Sequence, residues 1–255
     1  MVYGFMPGPE QVNTQISMSK GRLTAGNAIG ILVMNDWYPY LPGDVANAST
    51  YGFPVHYEIL EDITVERILR ADPALLDLVI EGGKELQKHG VRAIVGACGY
   101  FGNYQKEVAA ILDIPVFLSS LLQAPIIKRG LKPDQKVGIM CGHAESLTPK
   151  LLSQCGVGDL ADVVIAGAQD LPEFQNILQG TGSFNGYRLQ QELAGLAKQF
   201  VSDNPDISAI LLECSAFPPF AWAIQNAVKL PVFDFTTLIN WVYNAVVRRP
   251  FAGFV

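Results

Sequence analysis

Short apolar runs alternate with amphipathic stretches along the chain from residue 28 onward. The runs are rich in β-branched side chains, which is typical of strands buried on both faces of a parallel sheet. They predict strands at 29–34, 55–60, 91–95, 114–117, 137–140, 163–167, 207–212 and 231–235. The amphipathic stretches predict helices at 103–112, 186–201 and 219–228, and one between an N-cap at Asp72 and a stop at Gly90. Strands that alternate with helices indicate an α/β protein.

The second half of the chain repeats the first half. Cys98 and Cys214 each follow the third predicted strand of their half, and the Pro-Val-Phe of the fourth strand recurs at the same offset of 116 residues. This pattern describes a duplicated β/α unit of about 110 residues, which is too long for a solenoid repeat. We expect two pseudo-symmetric lobes, each a parallel β/α sandwich, with a cleft between them. The first lobe is predicted over 1–122 and completed by a C-terminal helix at 236–250, and the second over 123–235.

Composition and charge exclude some classes of protein function. The chain has 255 residues, of which 49% are hydrophobic and 16% charged, enough for a large core. The net charge of −6 lacks the basic excess of a nucleic-acid binder, and no apolar run is long enough for a membrane span. Residues 1–27 lack the basic and apolar start of a secretory signal. We therefore expect a cytoplasmic protein with free thiols, and neither nucleic acid nor membrane as a partner.

Cys98 and Cys214 are the leading candidates for chemistry. Each ends a predicted buried strand, and the carboxyl ends of parallel strands are where α/β proteins bind ligands. A helix start just after each cysteine is expected to lower the thiol pKa, so that a thiolate and a thiol flank one carbon as base and acid. A lone cysteine is usually core filler, but recurrence at matched positions favours function. Cys141 and Cys155 have no such counterparts: Cys155 is interpreted as structural, and for Cys141 a core position is preferred over one that lines the cleft.

An aromatic segment follows the first predicted strand. Residues 35–44 read Asn-Asp-Trp-Tyr-Pro-Tyr-Leu-Pro-Gly-Asp and are placed over the mouth of the cleft. Six aromatic side chains are candidates for a wall around a cationic substrate: Trp37, Tyr38, Tyr40, Tyr51, Tyr100 and Phe101. Packing between lobes or subunits explains them equally well. No histidine lies at metal-ligand spacing, and phosphate-binding glycine motifs are absent from the sequence.

The paired cysteines make the chain similar to the aspartate/glutamate racemase superfamily over residues 28–248. That superfamily includes glutamate, aspartate and hydantoin racemases, maleate isomerases and arylmalonate decarboxylases, which work without organic cofactor or metal. The resemblance implies that Cys98 and Cys214 are the catalytic acid/base pair and that no cofactor is needed. Amino-acid racemases typically follow these cysteines with Asn-Thr and Thr-Glu, whereas this chain has Gly99-Tyr100 and Ser215-Ala216.

A narrower branch, the Alma-type dimethylsulfoniopropionate lyases and their bacterial relatives, resembles the chain more closely. The similar stretches are Pro42-Gly43-Asp44, Tyr51-Gly52-Phe53-Pro54-Val55, Cys98-Gly99-Tyr100-Phe101, Ala168-Gln169-Asp170-Leu171-Pro172, Leu211-Leu212-Glu213-Cys214-Ser215 and Pro218-Pro219. This resemblance implies removal of a proton α to a carboxylate and release of dimethyl sulfide and acrylate. The alternatives are a racemase or epimerase of an amino acid, hydantoin or related small carboxylate, and a non-catalytic small-carboxylate binding protein.

The expected substrate site combines the aromatic segment with the two strand ends. Backbone amides and hydroxyl groups there would hold the carboxylate and the developing enediolate. The candidate substrate-binding residues are Asp36, Trp37, Tyr38, Tyr40, Gly99, Tyr100, Ser119, Gly142, His143, Ser146 and Ser215. The apolar tail 242–255 and the frequent oligomerisation of the superfamily predict a homo-oligomer.

Overall fold

The structure is a computed structural model that describes residues 25–255. It contains two four-stranded parallel sheets. The first has the order β2-β1-β3-β4, with β1 at Ile29–Met34, β2 at Val55–Leu60, β3 at Ala93–Gly96 and β4 at Val116–Phe117. The second has the order β6-β5-β7-β8, with β5 at Lys136–Cys141, β6 at Val163–Gly167, β7 at Ile207–Leu212 and β8 at Val232–Phe233. The identical strand order confirms the duplicated, two-lobed α/β fold.

Nine α-helices connect and cover the strands within residues 25–255. They are α1 (Val65–Leu69), α2 (Leu75–His89), α3 (Gln105–Ile111), α4 (Ala124–Arg129), α5 (Pro149–Gln154), α6 (Pro172–Leu178), α7 (Gly186–Asp203), α8 (Ala221–Val228) and α9 (Phe235–Val246). The helix expected after Asp72 begins two residues later, because the Asp72 carboxylate accepts from the Ala74 amide and binds Arg67. It ends at Gly90, whose φ of +82° suits glycine.

Two hydrophobic core clusters show which helices cover the two faces of the first sheet. In β1, Leu32 packs with α2 on one face, while Ile29 and Ile31 pack with α9 on the other. The C-terminal helix thus returns to the first lobe, although it ends at Val246 rather than at residue 250. The two sheets lie on either side of the predicted boundary at 122/123. That boundary stays a prediction. The first predicted lobe and the signal-sequence interpretation both include residues 1–24, which lie outside the described residues.

Hydrogen bonds join the two lobes near the carboxyl ends of the strands. The Tyr100 hydroxyl accepts from the His143 amide at 2.7 Å and donates to the His143 carbonyl at 2.8 Å. Ser120 Oγ donates to the Leu212 carbonyl at 2.9 Å. Because these bonds hold the strand ends of both lobes together, they define a fixed cleft there. Among the helices of residues 25–255, none combines the length and apolarity that crossing a membrane requires.

One loop of the first lobe crosses this cleft. The segment 35–51, which we call the crossing loop, places Tyr38 in the hydrophobic core of the second lobe. The Val45 amide donates to the Ser215 carbonyl at 3.4 Å. Gly43, with φ of +104°, lies so close to Pro219 that a β-carbon there would approach its backbone to 2.9 Å. The crossing loop therefore covers the cleft and is anchored on the far side.

Candidate active site

Both repeated cysteines line one small cavity of about 50 Å³ between the lobes. Cys98 follows β3 and Cys214 follows β7, the equivalent strand of the other lobe. A β-carbon on Gly142 would lie 3.9 Å from Cys214 Sγ, so this glycine leaves room beside the sulfur. The full lining is Met34, Asp36, Tyr38, Val65, Ile68, Leu69, Cys98, Tyr100, Gly142, Phe174, Ile177, Leu178, Cys214, Ser215 and Ala216.

The two thiols share one backbone contact. Each sulfur receives a hydrogen bond from the amide two residues later, at Tyr100 for Cys98 and at Ala216 for Cys214, and Cys98 receives a second one from the Phe101 amide. Burial nevertheless raises the pKa of both thiols, and the nearby carboxyl of Glu213 raises it further. The lowered pKa expected from a helix start is therefore wrong. Short 3-10 turns rather than long helices follow the cysteines, and desolvation outweighs their amide donors.

Glu213 is a buried acid that the sequence analysis missed as a site residue. Its side chain has no exposed surface, and Oε2 accepts from the Gly142 amide at 3.3 Å. Oε1 has no hydrogen-bond partner. Burial raises the pKa of this carboxyl to about 8. The signal was available: Glu213 is a charged residue directly after the apolar strand 207–212, where a buried charge is rare unless it is functional.

A second acidic group lies beside the cavity within the crossing loop. Asp44 is 1% exposed and accepts from the Tyr38 hydroxyl at 2.9 Å and from the Ala46 amide at 2.8 Å. Burial raises its pKa to about 7. Asp36 lines the cavity itself and accepts from the Tyr40 hydroxyl, and burial also raises its pKa. The cavity wall therefore offers one carboxyl group, that of Asp36, which is held by the Tyr40 hydroxyl.

The structure brings seven of the thirteen candidate site residues to the cavity wall. They are Asp36, Tyr38, Cys98, Tyr100, Gly142, Cys214 and Ser215. Three others support the cavity from behind: Tyr40 binds Asp36, Gly99 packs against Glu213, and the backbone of His143 binds Tyr100.

Three candidates lie away from the cavity wall. Trp37 is 72% exposed and covers Gly182 instead of facing inward. Ser119 caps the 3-10 turn at Ser120–Gln123 by accepting from the Leu121 amide at 3.2 Å. Ser146 Oγ hydrogen-bonds His143 Nδ1 at 3.1 Å. These polar groups are occupied by local structure, which is the usual role of serine near a helix start.

The proposed aromatic wall is largely wrong. Tyr51 packs against Phe53 and donates to the Val45 carbonyl, while Phe101 is wholly buried in a core cluster to which both lobes contribute. Only Tyr38 and Tyr100 of the six candidates line the cavity, and Phe174 joins them from the second lobe. Of the other rings of the crossing loop, Tyr40 lies behind the wall against Tyr38, and Trp37 is exposed.

The remaining cysteines and histidines lie outside the cavity wall. Cys141 and Cys155 are both buried in the core that contains the first sheet. His56 stacks on His89 with ring centroids 4.6 Å apart. Across residues 25–255, no three His, Cys, Asp or Glu side chains are grouped in a way that could hold a metal ion.

Comparison with known proteins identifies the family. A dimethylsulfoniopropionate lyase of Durusdinium sp. clade D is 30% identical over 233 residues, which cover 89% of this chain and 77% of the relative. The chain belongs to the dimethylsulfoniopropionate lyase family. Dimethylsulfoniopropionate lyase 5 of Emiliania huxleyi is 30% identical over 254 residues, and the chain spans half of that protein's length. No general family model matches the sequence.

Solved structures place the lyase-family fold among the racemases. Glutamate racemase from Francisella tularensis, in complex with D-glutamate, aligns with a TM-score of 0.51 at 17% identity, over 89% of this chain and 85% of that one. Unliganded arylmalonate decarboxylase aligns with a TM-score of 0.52 at 14% identity, over 86% and 92% of the two chains. These likenesses confirm the aspartate/glutamate racemase-like fold.

Proposed function

We propose that the chain is a cofactor-independent lyase that cleaves dimethylsulfoniopropionate into dimethyl sulfide and acrylate. The observation that carries the proposal is the meeting of Cys98 and Cys214, from equivalent strand ends of two lobes, in one cavity. Membership of the dimethylsulfoniopropionate lyase family supports the substrate. A small carboxylate is the proposed partner. Cytoplasmic location and assembly into a homo-oligomer stay predictions.

The proposed reaction needs one base and a means of stabilising negative charge. A cysteine thiolate removes the proton α to the substrate carboxylate, and that electron pair forms the new C=C bond as the C–S bond breaks. Dimethyl sulfide leaves as a neutral molecule and needs no proton. The hydroxyl group of Ser215, which lines the cavity, is a donor suited to the substrate carboxylate.

The charge of the cavity wall favours a substrate with a cationic group. Among the described residues that line it, the ionisable side chains are thiols, tyrosines and Asp36, with no lysine, arginine or histidine. The Asp36 carboxylate and the rings of Tyr38 and Phe174 together attract a positively charged sulfonium.

A racemase of a small carboxylate is the second candidate. The matched positions of the two thiols, after equivalent strands and in one cavity, favour it, because proton removal from one face and return to the other requires two similar groups. The two reactions give different products from different substrates, so one experiment separates them.

Proton NMR in D₂O is the decisive measurement. Purified protein is mixed with dimethylsulfoniopropionate, aspartate, glutamate or a substituted hydantoin, and vinyl signals of acrylate establish the lyase. Loss of an α-proton signal without new products would establish a racemase instead. Removing a catalytic base typically costs about 10²- to 10⁴-fold in rate, so the variant that removes the base, Cys98→Ala or Cys214→Ala, should lose at least 100-fold. Cys155→Ala is the matched control and should retain turnover. Full turnover in both cavity variants would refute the mechanism, and ligand binding without any conversion would favour the binding protein.

A further inference from the structure

Two short helices at equivalent places in the lobes line the same cavity. Helix α1 follows β2 and helix α6 follows β6, and in each lobe four residues separate the strand from the helix. Each helix contributes three apolar side chains to the cavity wall at the spacing i, i+3 and i+4, which places them on one helix face. These two sets, which we call the apolar triads, are Val65, Ile68 and Leu69 from α1 and Phe174, Ile177 and Leu178 from α6.

The internal repeat preserves the apolar triads as well as the thiols. Every member of the first triad has an apolar counterpart 109 residues later. The neighbouring positions are polar and exposed in both lobes, at Glu66 and Arg70 beside the first triad and at Gln175 and Gln179 beside the second. The two triads belong to different core clusters, yet all six side chains line one cavity. The cavity therefore lies where the two lobes present the same apolar surface to each other.

The triads and the thiols follow different strands of each sheet. Cys98 follows β3, an interior strand, whereas α1 follows the edge strand β2, and β1 lies between these two strands. The second lobe repeats this order, with β5 between β6 and β7. Asp36 comes two residues after the end of β1, so it follows the strand that separates the triad of its lobe from the thiol. The wall thus has reacting groups after the interior strands and an apolar surface after the edge strands.

The apolar triads suit alkyl groups and exclude a carboxylate. Valine, isoleucine, leucine and phenylalanine side chains carry no hydrogen-bond donor, so a carboxylate that lay against them would lose its hydration without compensation. Alkyl groups instead gain free energy when they leave water for such a surface. Dimethylsulfoniopropionate carries its carboxylate at one end and two methyl groups on sulfur at the other. Its sulfonium end is therefore the part that fits between the triads.

We propose that the two apolar triads form the subsite for the S-alkyl groups of the substrate and limit those groups to the size of methyl. The inference rests on the proposed function in one respect, that the substrate is a sulfonium. Because the cavity is only about 50 Å³ in volume, a methylene added to either alkyl group meets a triad side chain. Phe174 belongs to a triad and is also one of the rings assigned to the positive sulfur, so the charge and its alkyl groups share one part of the wall.

The test compares the kcat/KM of acrylate formation from 3-(dimethylsulfonio)propanoate and 3-(diethylsulfonio)propanoate. One extra methylene in an apolar pocket typically changes kcat/KM by about 10- to 200-fold, so wild type should prefer the dimethyl compound at least tenfold. Leu69→Ala and Leu178→Ala truncate matched, partly buried triad members, and each should lower this preference about tenfold. A merely structural role would lower both kcat/KM values equally and leave their ratio unchanged. Leu160→Ala, at a side chain that is 48% exposed, is the matched control and should keep the wild-type ratio.

Equal kcat/KM for the two compounds in wild type, or an unchanged ratio in both leucine variants, would overturn the subsite. The wild-type comparison decides even if a variant fails to fold. Absence of acrylate from both compounds would refute the lyase instead, and protection of Cys98 and Cys214 from alkylation by iodoacetamide then tests the subsite without turnover. The dimethyl compound should protect the thiols at a concentration at least tenfold lower than the diethyl compound. Equal protection, or protection by neither compound, would overturn the subsite.

Discussion

Gly99 and Gly195 should respond in opposite ways to the same substitution. A β-carbon at Gly99 collides with the buried Glu213 carboxyl, and overpacking of this kind typically costs about 1–3 kcal/mol. Gly195 lies on the exposed face of α7 with no atom within 4 Å of its would-be β-carbon, so alanine there should stabilise by about 0.5–1 kcal/mol. Urea unfolding and turnover measure both effects. Unchanged stability and turnover in Gly99→Ala would show that Glu213 does not depend on this contact.

Asp36→Asn tests whether the cavity recognises a cation. Asparagine keeps an oxygen to accept from Tyr40 but removes the negative charge beside the proposed sulfonium site. Losing about 1.4 kcal/mol of attraction corresponds to a tenfold rise in KM for dimethylsulfoniopropionate, with a smaller change in kcat. Asp134→Asn, on the exposed surface, is the control for loss of one charge. An unchanged KM in Asp36→Asn would argue against recognition of the cation by this carboxyl.

The sequence predicted the two cysteines and Asp36 of the site, but neither of the buried acids Glu213 and Asp44. Cys98 and Cys214 were identifiable because duplication repeats them at one offset. Glu213 carried a signal in its position after an apolar strand, but Asp44 carried none. Asp44 lies in a polar loop, and its burial depends on contacts of the crossing loop with the other lobe, which residue type alone does not encode.

At the scale of elements, the crossing loop controls access to the cavity. Gly43→Ala would strain a φ of +104° and push against Pro219, so the loop should detach from the second lobe. We expect faster alkylation of Cys98 and Cys214 by iodoacetamide and a lower kcat/KM. Gly52→Ala lies in open space just after the same loop and is the matched control. Equal alkylation rates in the two variants would show that Gly43 does not hold the loop closed.

Strands and long helices were predictable, whereas short elements were not. The apolar runs predicted all eight strands within a few residues, because burial on both faces leaves a continuous apolar signature. The short helices α1, α4, α5 and α6 were missed, since they span too few turns to show a helical period. The start of α2 was misplaced because Asp72 caps a preceding turn instead of the helix.

At the scale of the whole molecule, the repeat predicted two lobes and a cleft but not which side chains face it. Which side chains face the cleft depends on how the two lobes pack against each other. Tyr38 reaches the cavity because the crossing loop inserts it into the second-lobe core, while Trp37, its chain neighbour, faces solvent. A single sequence carries no periodic signal for such a contact between lobes.

Buried acids should also make the stability of the whole molecule fall as pH rises. Asp44 has an ordinary pKa near 3.8 and a folded-state pKa of about 7 because of burial. Between these values the unfolded chain releases the proton while the folded chain keeps it, so the free energy of unfolding decreases with rising pH. The loss from Asp44 amounts to about 4 kcal/mol between about pH 4 and pH 7, and it is complete above that range.

Asp44→Asn should remove most of this pH dependence. Asparagine can still accept from the Ala46 amide, and its amide group can donate to the Tyr38 hydroxyl, so the neutral form of the contact survives. Urea unfolding at about pH 4.5 and pH 7.5 should show a smaller loss of stability in Asp44→Asn than in wild type, and Asp134→Asn should behave as wild type. Glu213, with its pKa of about 8, leaves a residual decrease in every one of these proteins. A wild-type stability that rises over this pH range would mean that both acids ionise freely in the fold.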